Sequence, residues 1–163
     1  MVVVALLSAT TLSGAEQTSS HTTAPHDPFD FIVGNWLVRD SSGRAIGSAS
    51  VTKEYGGCVL VEKWRGVGKS REGLGVVGYQ PATKTWHRDF IDDSGFVLAF
   101  DGQFDGAAMV MTGKDYQSDV TRMHRLTWTP KSDGSVEERW QTSTDAGQSW
   151  QEHFHGVFQR IAE

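Results

Sequence analysis

The sequence predicts an all-β protein whose strands form an antiparallel up-and-down barrel of about eight to ten strands, with a two-sheet β-sandwich as the alternative. From residue 29 onward, apolar and polar residues alternate in short runs, and glycine-rich turn signals separate the runs. No segment carries apolar residues at helical spacing over several turns. Because the links are of hairpin length, consecutive strands are expected to pair antiparallel, and closing the sheet removes its exposed edges.

Ten runs fit strands, and residues that favour tight turns lie between them. The predicted strands cover, in chain order, residues 33–40, 45–55, 57–66, 72–80, 84–92, 95–101, 107–113, 121–130, 135–144 and 149–160. The clearest turn signals are at 80–83, 93–95, 130–134 and 145–147. Gly73, Gly75 and Gly78 form a G-x-G-x-x-G pattern without a following helix, so we expect them to relieve crowding on a coiled strand rather than bind a dinucleotide.

The composition allows one folded domain and argues against several functions. The chain has 163 residues, of which 38% are hydrophobic, and this suffices for a core. The net charge is −5 and Lys and Arg form no cluster, which argues against a nucleic-acid partner or an anionic membrane surface. The single Cys excludes an internal disulfide framework and a Cys-rich zinc site. We expect neither a metal nor a cofactor, and the sequence leaves the oligomeric state open.

The first fifteen residues are expected to be a signal peptide. Residues 1–12 are nearly all small or apolar, carry no charge, and are fewer than the ~20 residues that span a bilayer. Small residues at Ser13 and Ala15 suit cleavage after residue 15. Residues 16–28, rich in Thr, Ser and His, predict a flexible linker before a single barrel domain at 29–163. We therefore expect export to the periplasm or outside the cell, with no membrane-spanning segment after cleavage; the alternative is a buried N-terminal strand.

The predicted domain opens with Phe-Asp-Phe-Ile-Val-Gly-Asn-Trp at 29–36, and Arg160 lies at the end of the last predicted strand. This combination resembles the lipocalin and calycin barrels, in which a late-strand Arg covers a first-strand Trp. The resemblance implies that Trp36 and Arg160 close one end of the barrel, with the guanidinium stacked on the indole.

A closer likeness extends over nearly all of residues 16–163. It is to a bacterial secreted family without a settled activity, and it is carried by the FDFxxGxW opening and by 57–64, 79–87, 126–130 and 143–150. The likeness implies fold and secretion, whereas an activity does not follow from a fold. Residues 143–150 also resemble the Asp-box hairpin of sialidase propellers, but one copy in a chain this short indicates a structural turn.

Strand alternation assigns an aromatic-rich face to the barrel interior. That face also carries Glu62, Arg88, His124 and Glu138. Burying a charge costs several kcal/mol unless it is paired or solvated, so this mixture indicates a solvated ligand cavity rather than a dry core. The alternative is that Glu62 with Arg88, or Arg122 with Glu138, forms an ordinary cross-strand ion pair on the outer face.

We therefore expect a small, partly apolar molecule to bind inside the barrel. The expected ligand contacts share the inward face and are Trp64, Trp86, Arg88, Phe90, His124, Trp128, Glu138 and Trp140. Trp36 and Phe154 would close the floor. Two alternatives stay open: an enzyme in which Glu62 or Glu138 is the general base and Arg88 stabilises charge, and an interaction module with a filled barrel.

His153 and His155 form an H-x-H pair, so both side chains are expected on one face of the last strand. Parity with Glu152 and Phe154, which are expected to face inward, puts the two histidines outside, and the sequence supplies no obvious third metal ligand. Some haem-binding calycins ligate iron through a late-strand histidine, to which His155 is nearest in position. Because His155 is expected to face outward, we do not expect haem.

Overall fold

In the computed structural model, which describes residues 27–115 and 121–161, the chain forms a closed barrel of ten antiparallel strands. The strands are β1 (Gly34–Arg39), β2 (Ala45–Glu54), β3 (Val59–Gly66), β4 (Glu72–Gln80), β5 (Thr85–Asp92), β6 (Val97–Phe104), β7 (Met109–Asp115), β8 (Arg122–Pro130), β9 (Val136–Ser143) and β10 (Gln151–Arg160). Each strand pairs with the next one along the chain, and β1 pairs with β10, which closes the sheet. The predicted all-β class and up-and-down barrel are confirmed, and the two-sheet alternative does not form.

Three short 3-10 helices accompany the strands, at Asp27–Ile32, Tyr55–Gly57 and Val67–Lys69. Within the described ranges, none of the helices has the length and apolar character needed to cross a membrane. The predicted signal peptide at 1–15 and the predicted linker up to residue 26 lie outside the described residues.

The strand β5 shows how the sequence sets the register of the sheet. Trp86, Arg88, Phe90 and Asp92 point inward and are buried, while the residues between them are exposed. Successive side chains of a strand point to opposite faces, so a slip of one residue would carry the whole buried set to the solvent side. The alternation in the sequence therefore fixes which residues of β5 face the interior.

One end of the barrel is filled by aromatic side chains from the first 3-10 helix and the strands around it. Phe29 is 1% exposed, and its ring centroid lies 5.5 Å from that of Trp86 and 5.2 Å from that of Trp128. Trp36 is fully buried, and its indole N–H donates a hydrogen bond of 2.8 Å to the Ile32 carbonyl. The helix is thus held against β1 and covers this end of the core.

Arg160 lies outside this closed end and spans the seam between β1 and β10. Its guanidinium carbon is 4.4 Å from the centroid of the Trp36 ring, and its Nη1 donates to the Val33 carbonyl at 3.0 Å. Gly34 makes room for it: φ is +139°, and a Cβ at this position would lie 2.5 Å from Arg160 Nη1. The stacked geometry is the one that the lipocalin resemblance implies for Trp36 and Arg160.

The start of β10 departs from the predicted alternation. Its pairing with β9 shifts register between Glu152 and Phe154, so His153 is an extra residue in a bulge. His153 and Phe154 both line the interior, whereas Glu152 lies outside, 3.8 Å from Arg139. The expectations that His153 faces outward and Glu152 inward were therefore wrong, because a bulge reverses the parity of every residue on one side of it.

Candidate functional site

The end of the barrel opposite the first 3-10 helix holds a cavity of about 750 Å³. Small-molecule sites in proteins typically measure roughly 300–1,000 Å³. Its wall combines inward-facing strand residues with the β3–β4 and β5–β6 links. The ionisable lining residues are Glu62, Arg71, Arg88, Asp92, Arg122, Glu138 and His153, and the aromatic ones are Trp64, Phe90, Phe96, Trp140 and Phe154.

The deepest charged contact joins β3 to β5. Arg88 Nη2 donates to Glu62 Oε2 at 2.6 Å, and the two side chains are only 3% and 10% exposed. The guanidinium carbon of Arg88 lies 4.7 Å from the ring centroid of Phe90 and 5.1 Å from that of Trp128. A buried charge is tolerated only with such a partner, and the aromatic faces add cation–π attraction.

Two donors of Arg88 lack an acceptor. Its Nε and Nη1 atoms are buried and have no hydrogen-bond partner among the described residues. Buried N–H groups in proteins are nearly always hydrogen-bonded, and one left without an acceptor costs ~1–3 kcal/mol. Both atoms are closed to solvent, and the guanidinium lies against the Phe90 and Trp128 rings, so the fold itself carries this cost.

Glu138 on β9 adds a second carboxyl to this cluster. It is 7% exposed, and no cation forms an ion pair with it within the described part of the chain. Burial, and then the charge of Glu62, raise the pKa of Glu138 to about 7, with Arg88 and the indole of Trp128 opposing the rise. The three residues predicted as acid–base candidates therefore lie together at the inner end of the cavity.

Further charged groups lie at the rim. Arg71 Nη1 is 3.4 Å from Asp92 Oδ2, and the Asp92 side chain is almost fully buried. Arg122 lies at the start of β8 and also lines the cavity. Burial, followed by the electrostatic effects of His124, Arg122 and Arg71, holds the pKa of His153 below its ordinary value. His153 is thus a neutral hydrogen-bonding group at neutral pH.

A hydrogen-bonded chain fixes one aromatic wall of the cavity. The Trp140 indole N–H donates to His124 Nδ1 at 2.9 Å, and His124 Nε2 lies 2.8 Å from Asp115 Oδ2. Because Nδ1 accepts a hydrogen bond, neutral His124 carries its proton on Nε2 and donates it to Asp115. Burial lowers the pKa of His124, although Asp115 opposes this. His124 therefore orients Trp140 from behind.

Comparison with known proteins supplies no relative from which to transfer a function. No family model matches the chain, and no curated protein is significantly similar to it. The geometry of the cavity is therefore the basis for assigning a function.

Five of the eight predicted ligand contacts line the cavity: Trp64, Arg88, Phe90, Glu138 and Trp140. The other three lie elsewhere. Trp86 and Trp128 pack against Phe29 at the filled end, and His124 lies behind Trp140. Alternation identified all three as inward-facing, but it carries no information on depth along the barrel axis.

Several residues of the cavity were not among the predicted contacts. Arg71 and Phe96 come from links between strands, where no alternation applies, and His153 is the bulged residue. Phe154 was expected at the floor, but it lines the open end, where its ring centroid is 5.8 Å from that of Trp64. Arg122 lies two residues before His124 on β8, so its side chain points to the same inward face. Strand alternation in the sequence could therefore have identified Arg122 as a cavity residue.

The two histidines of the H-x-H pair lie on different faces of β10. His155 lies on the outer face, where its Nε2 is 2.9 Å from Glu137 Oε1. The bulge separates it from His153, so the two histidines do not share a face as predicted. Across residues 27–115 and 121–161, no three His, Cys, Asp or Glu side chains come together in a way that could hold a metal ion.

Proposed function

We propose that the protein binds a small, partly apolar molecule in the open end of its barrel. The observation that carries this proposal is the composition of the cavity wall. Aromatic rings alternate there with buried ionisable groups, of which Arg88 has two donors without acceptors and Glu138 has no ion-pair partner among the described residues. A barrel core whose only role is stability would favour aliphatic side chains at these positions, because they need no partners.

Binding of this kind would combine two effects. Burial of apolar ligand surface against Trp64, Phe90 and Trp140 supplies most of the affinity, at about 25 cal/mol per Å² removed from water. Polar ligand atoms that reach Arg88 or Glu138 would set the orientation of the molecule.

The family and the cellular location are part of the same proposal. The stacking of Arg160 on Trp36 across a closed antiparallel barrel supports kinship with the lipocalin and calycin proteins. The uncharged apolar run at 1–12 and the small residues at Ser13 and Ala15 support export with cleavage after residue 15.

The experiment is a native mass spectrum of the protein purified from its own source, compared with its denatured mass. We expect a discrete additional mass that disappears on denaturation, and a denatured chain that begins at Glu16. Trp64→Ala should lower the bound fraction, since Trp64 lines the cavity. Trp150→Ala is the matched control, because Trp150 lies in the β9–β10 hairpin, where its N–H donates to the Gly147 carbonyl. Equal occupancy in the two variants would contradict the site.

A second candidate function is acid–base catalysis in the same cavity, favoured by the pKa of Glu138. A general base works best when its pKa lies near the working pH, and burial together with Glu62 raises the pKa of Glu138 to about 7. Glu138→Gln separates the two functions. In an enzyme, the wild type converts the bound molecule and the variant binds it without converting it, whereas in a binding protein neither the wild type nor the variant converts it.

A further inference from the structure

The charges that line the cavity are incompletely paired. Two ion pairs account for most of them, and these are Arg71–Asp92 at 3.4 Å and Arg88–Glu62 at 2.6 Å. Arg122 and Glu138 remain. Within the described ranges, neither has an oppositely charged side chain within 4.0 Å.

These two residues lie too far apart to neutralise each other. Glu138 on β9 stands opposite Trp128 on β8, and Arg122 precedes Trp128 by six residues on the same strand. At 3.3 Å per residue, this separation is roughly 20 Å along the strand. Arg122 is therefore at the rim of the cavity, and Glu138 is at its inner end.

At the rim, Arg122 stands opposite Asp115 in the pairing of β7 with β8, but Asp115 Oδ2 binds His124 Nε2 at 2.8 Å, and Arg122 itself forms no ion pair within the described ranges. Arg71 and Arg122 both lower the pKa of His153, after the larger effect of burial and that of His124, so their positive potential reaches into the cavity. At the inner end, by contrast, Arg88 has two carboxyl groups around it, Glu62 and Glu138. An anionic group would be repelled there and attracted at the rim.

Between the two ends, the wall is aromatic. Trp64, Phe90 and Trp140 face the cavity, and the ring centroids of Phe90 and Trp140 lie 6.2 Å apart in an edge-to-face arrangement. The hydrogen bond from Trp140 to His124 holds that ring in place. Such walls favour a flat or chain-like apolar body.

We propose that the ligand of this cavity is an organic anion, whose acidic group binds Arg122 at the rim and whose apolar body lies between Trp64, Phe90 and Trp140. This inference rests on the binding function proposed above and names its ligand class.

The test uses two fluorescent probes that share one ring system and differ in a single acidic group. They are 1-anilinonaphthalene-8-sulfonate, an anion, and N-phenyl-1-naphthylamine, its neutral counterpart. We expect the full-length protein to bind the anion more tightly by roughly tenfold or more, the size of one charge-assisted contact. Arg122→Gln should remove this preference and leave the affinity for the neutral probe unchanged, which also shows that the variant is folded. Arg122→Glu should reverse the preference.

Two control variants locate the effect in the cavity. Arg65→Gln removes an exposed arginine of β3 that pairs with Glu72 at 2.9 Å, and the preference should persist. Ile91→Ser alters the outer face of β5, where Ile91 is 47% exposed, and should leave both affinities unchanged. A drop in probe binding in this variant would assign the probe to the outer surface and overturn the inference.

The outcomes separate this inference from the function on which it rests. If neither probe binds and no bound mass is found, the binding function fails and the ligand class fails with it. If both probes bind with equal affinity, or if Arg122→Gln keeps the preference for the anion, a binding cavity remains and the anionic ligand class is overturned.

Discussion

At the scale of single residues, the site depends on a glycine as much as on the charged groups. Gly75 of β4 stands opposite Glu62 of β3 in the sheet. A Cβ at this position would lie 2.8 Å from Glu62 Oε2 and 3.0 Å from Arg88 Nη2. The buried Glu62–Arg88 pair therefore occupies the space that a side chain on β4 would take. The predicted role of this glycine, to relieve crowding, has its physical basis here.

Gly75→Ala is expected to destabilise the protein by about 1–3 kcal/mol, the usual cost of overpacking a filled interior. Gly78→Ala on the same strand is the matched control, because a Cβ there meets no atom within 4 Å. The control should be neutral or slightly stabilising, since alanine restricts the unfolded chain more than glycine does. Urea unfolding of both variants measures the difference, and equal midpoints would show that the ion pair does not need the space at Gly75.

At the scale of strands and turns, the closed seam between β1 and β10 concentrates several interactions in one side chain. Arg160 stacks on Trp36 of β1 and hydrogen-bonds the carbonyl that follows the first 3-10 helix. It therefore ties the helix, the first strand and the last strand together. The hairpin turns are stabilised by aspartate side chains instead. Asp133 accepts a hydrogen bond from the Ser135 amide in the β8–β9 turn, and Asp145 accepts one from the Ser149 amide in the β9–β10 turn.

Arg160→Lys is expected to lower the free energy of unfolding by about 1–2 kcal/mol, although it keeps the charge. A lysine loses the planar stacking on Trp36 and the forked donors. Arg139→Lys on the outer face of β9 serves as control, since exposed ion pairs such as Arg139–Glu137 contribute only ~0–1 kcal/mol. Thermal unfolding of both variants is the measurement. A shift of Tm as small for Arg160→Lys as for the control would exclude a role of stacking in closing the barrel.

At the scale of the whole molecule, the buried carboxyl of Glu138 makes stability depend on pH. Its pKa is raised from 4.5 to about 7 by burial and Glu62, so between these values the folded state binds a proton that the unfolded state has released. Stability must therefore fall as the pH rises through this window. Below the window, the hairpin carboxyls act in the opposite sense: hydrogen bonds from the Ser135 side chain and amide lower the pKa of Asp133, and those from Ser149 do the same for Asp145, so their contribution is lost in acid.

We expect the free energy of unfolding to decline by up to about 3 kcal/mol between pH 5 and pH 8, because each pKa unit corresponds to ~1.4 kcal/mol. Glu138→Gln should lack most of this decline and be more stable than the wild type at pH 8. The difference between the two pH profiles reports the contribution of Glu138 alone. His87, His124 and His153, whose shifted pKa values also make stability depend on pH, are present in both proteins. Parallel pH profiles of the two proteins would show that Glu138 ionises normally.

The sequence by itself determined the fold class, the ten strands and the inward face of most of them. Short-range alternation and turn residues carry this information, because successive side chains of a strand point to opposite faces of the sheet, one toward the interior and the next toward solvent. The grouping of Glu62, Arg88 and Glu138 could be predicted in the same way, since each is inward by parity on its own strand.

Only the tertiary structure decided where along the barrel each inward residue lies. Trp128 and Trp140 share a face, yet one packs under the first 3-10 helix and the other lines the cavity. Depth depends on the stagger of the strands and on which end the chain fills, and neither is encoded in the period of a single strand. The bulge at His153 arises in the pairing of β10 with β9, and the pKa of Glu138 arises from burial and from Glu62 and Arg88 on other strands. The alternation within one strand records neither an extra residue in a pairing nor the charges around a buried group.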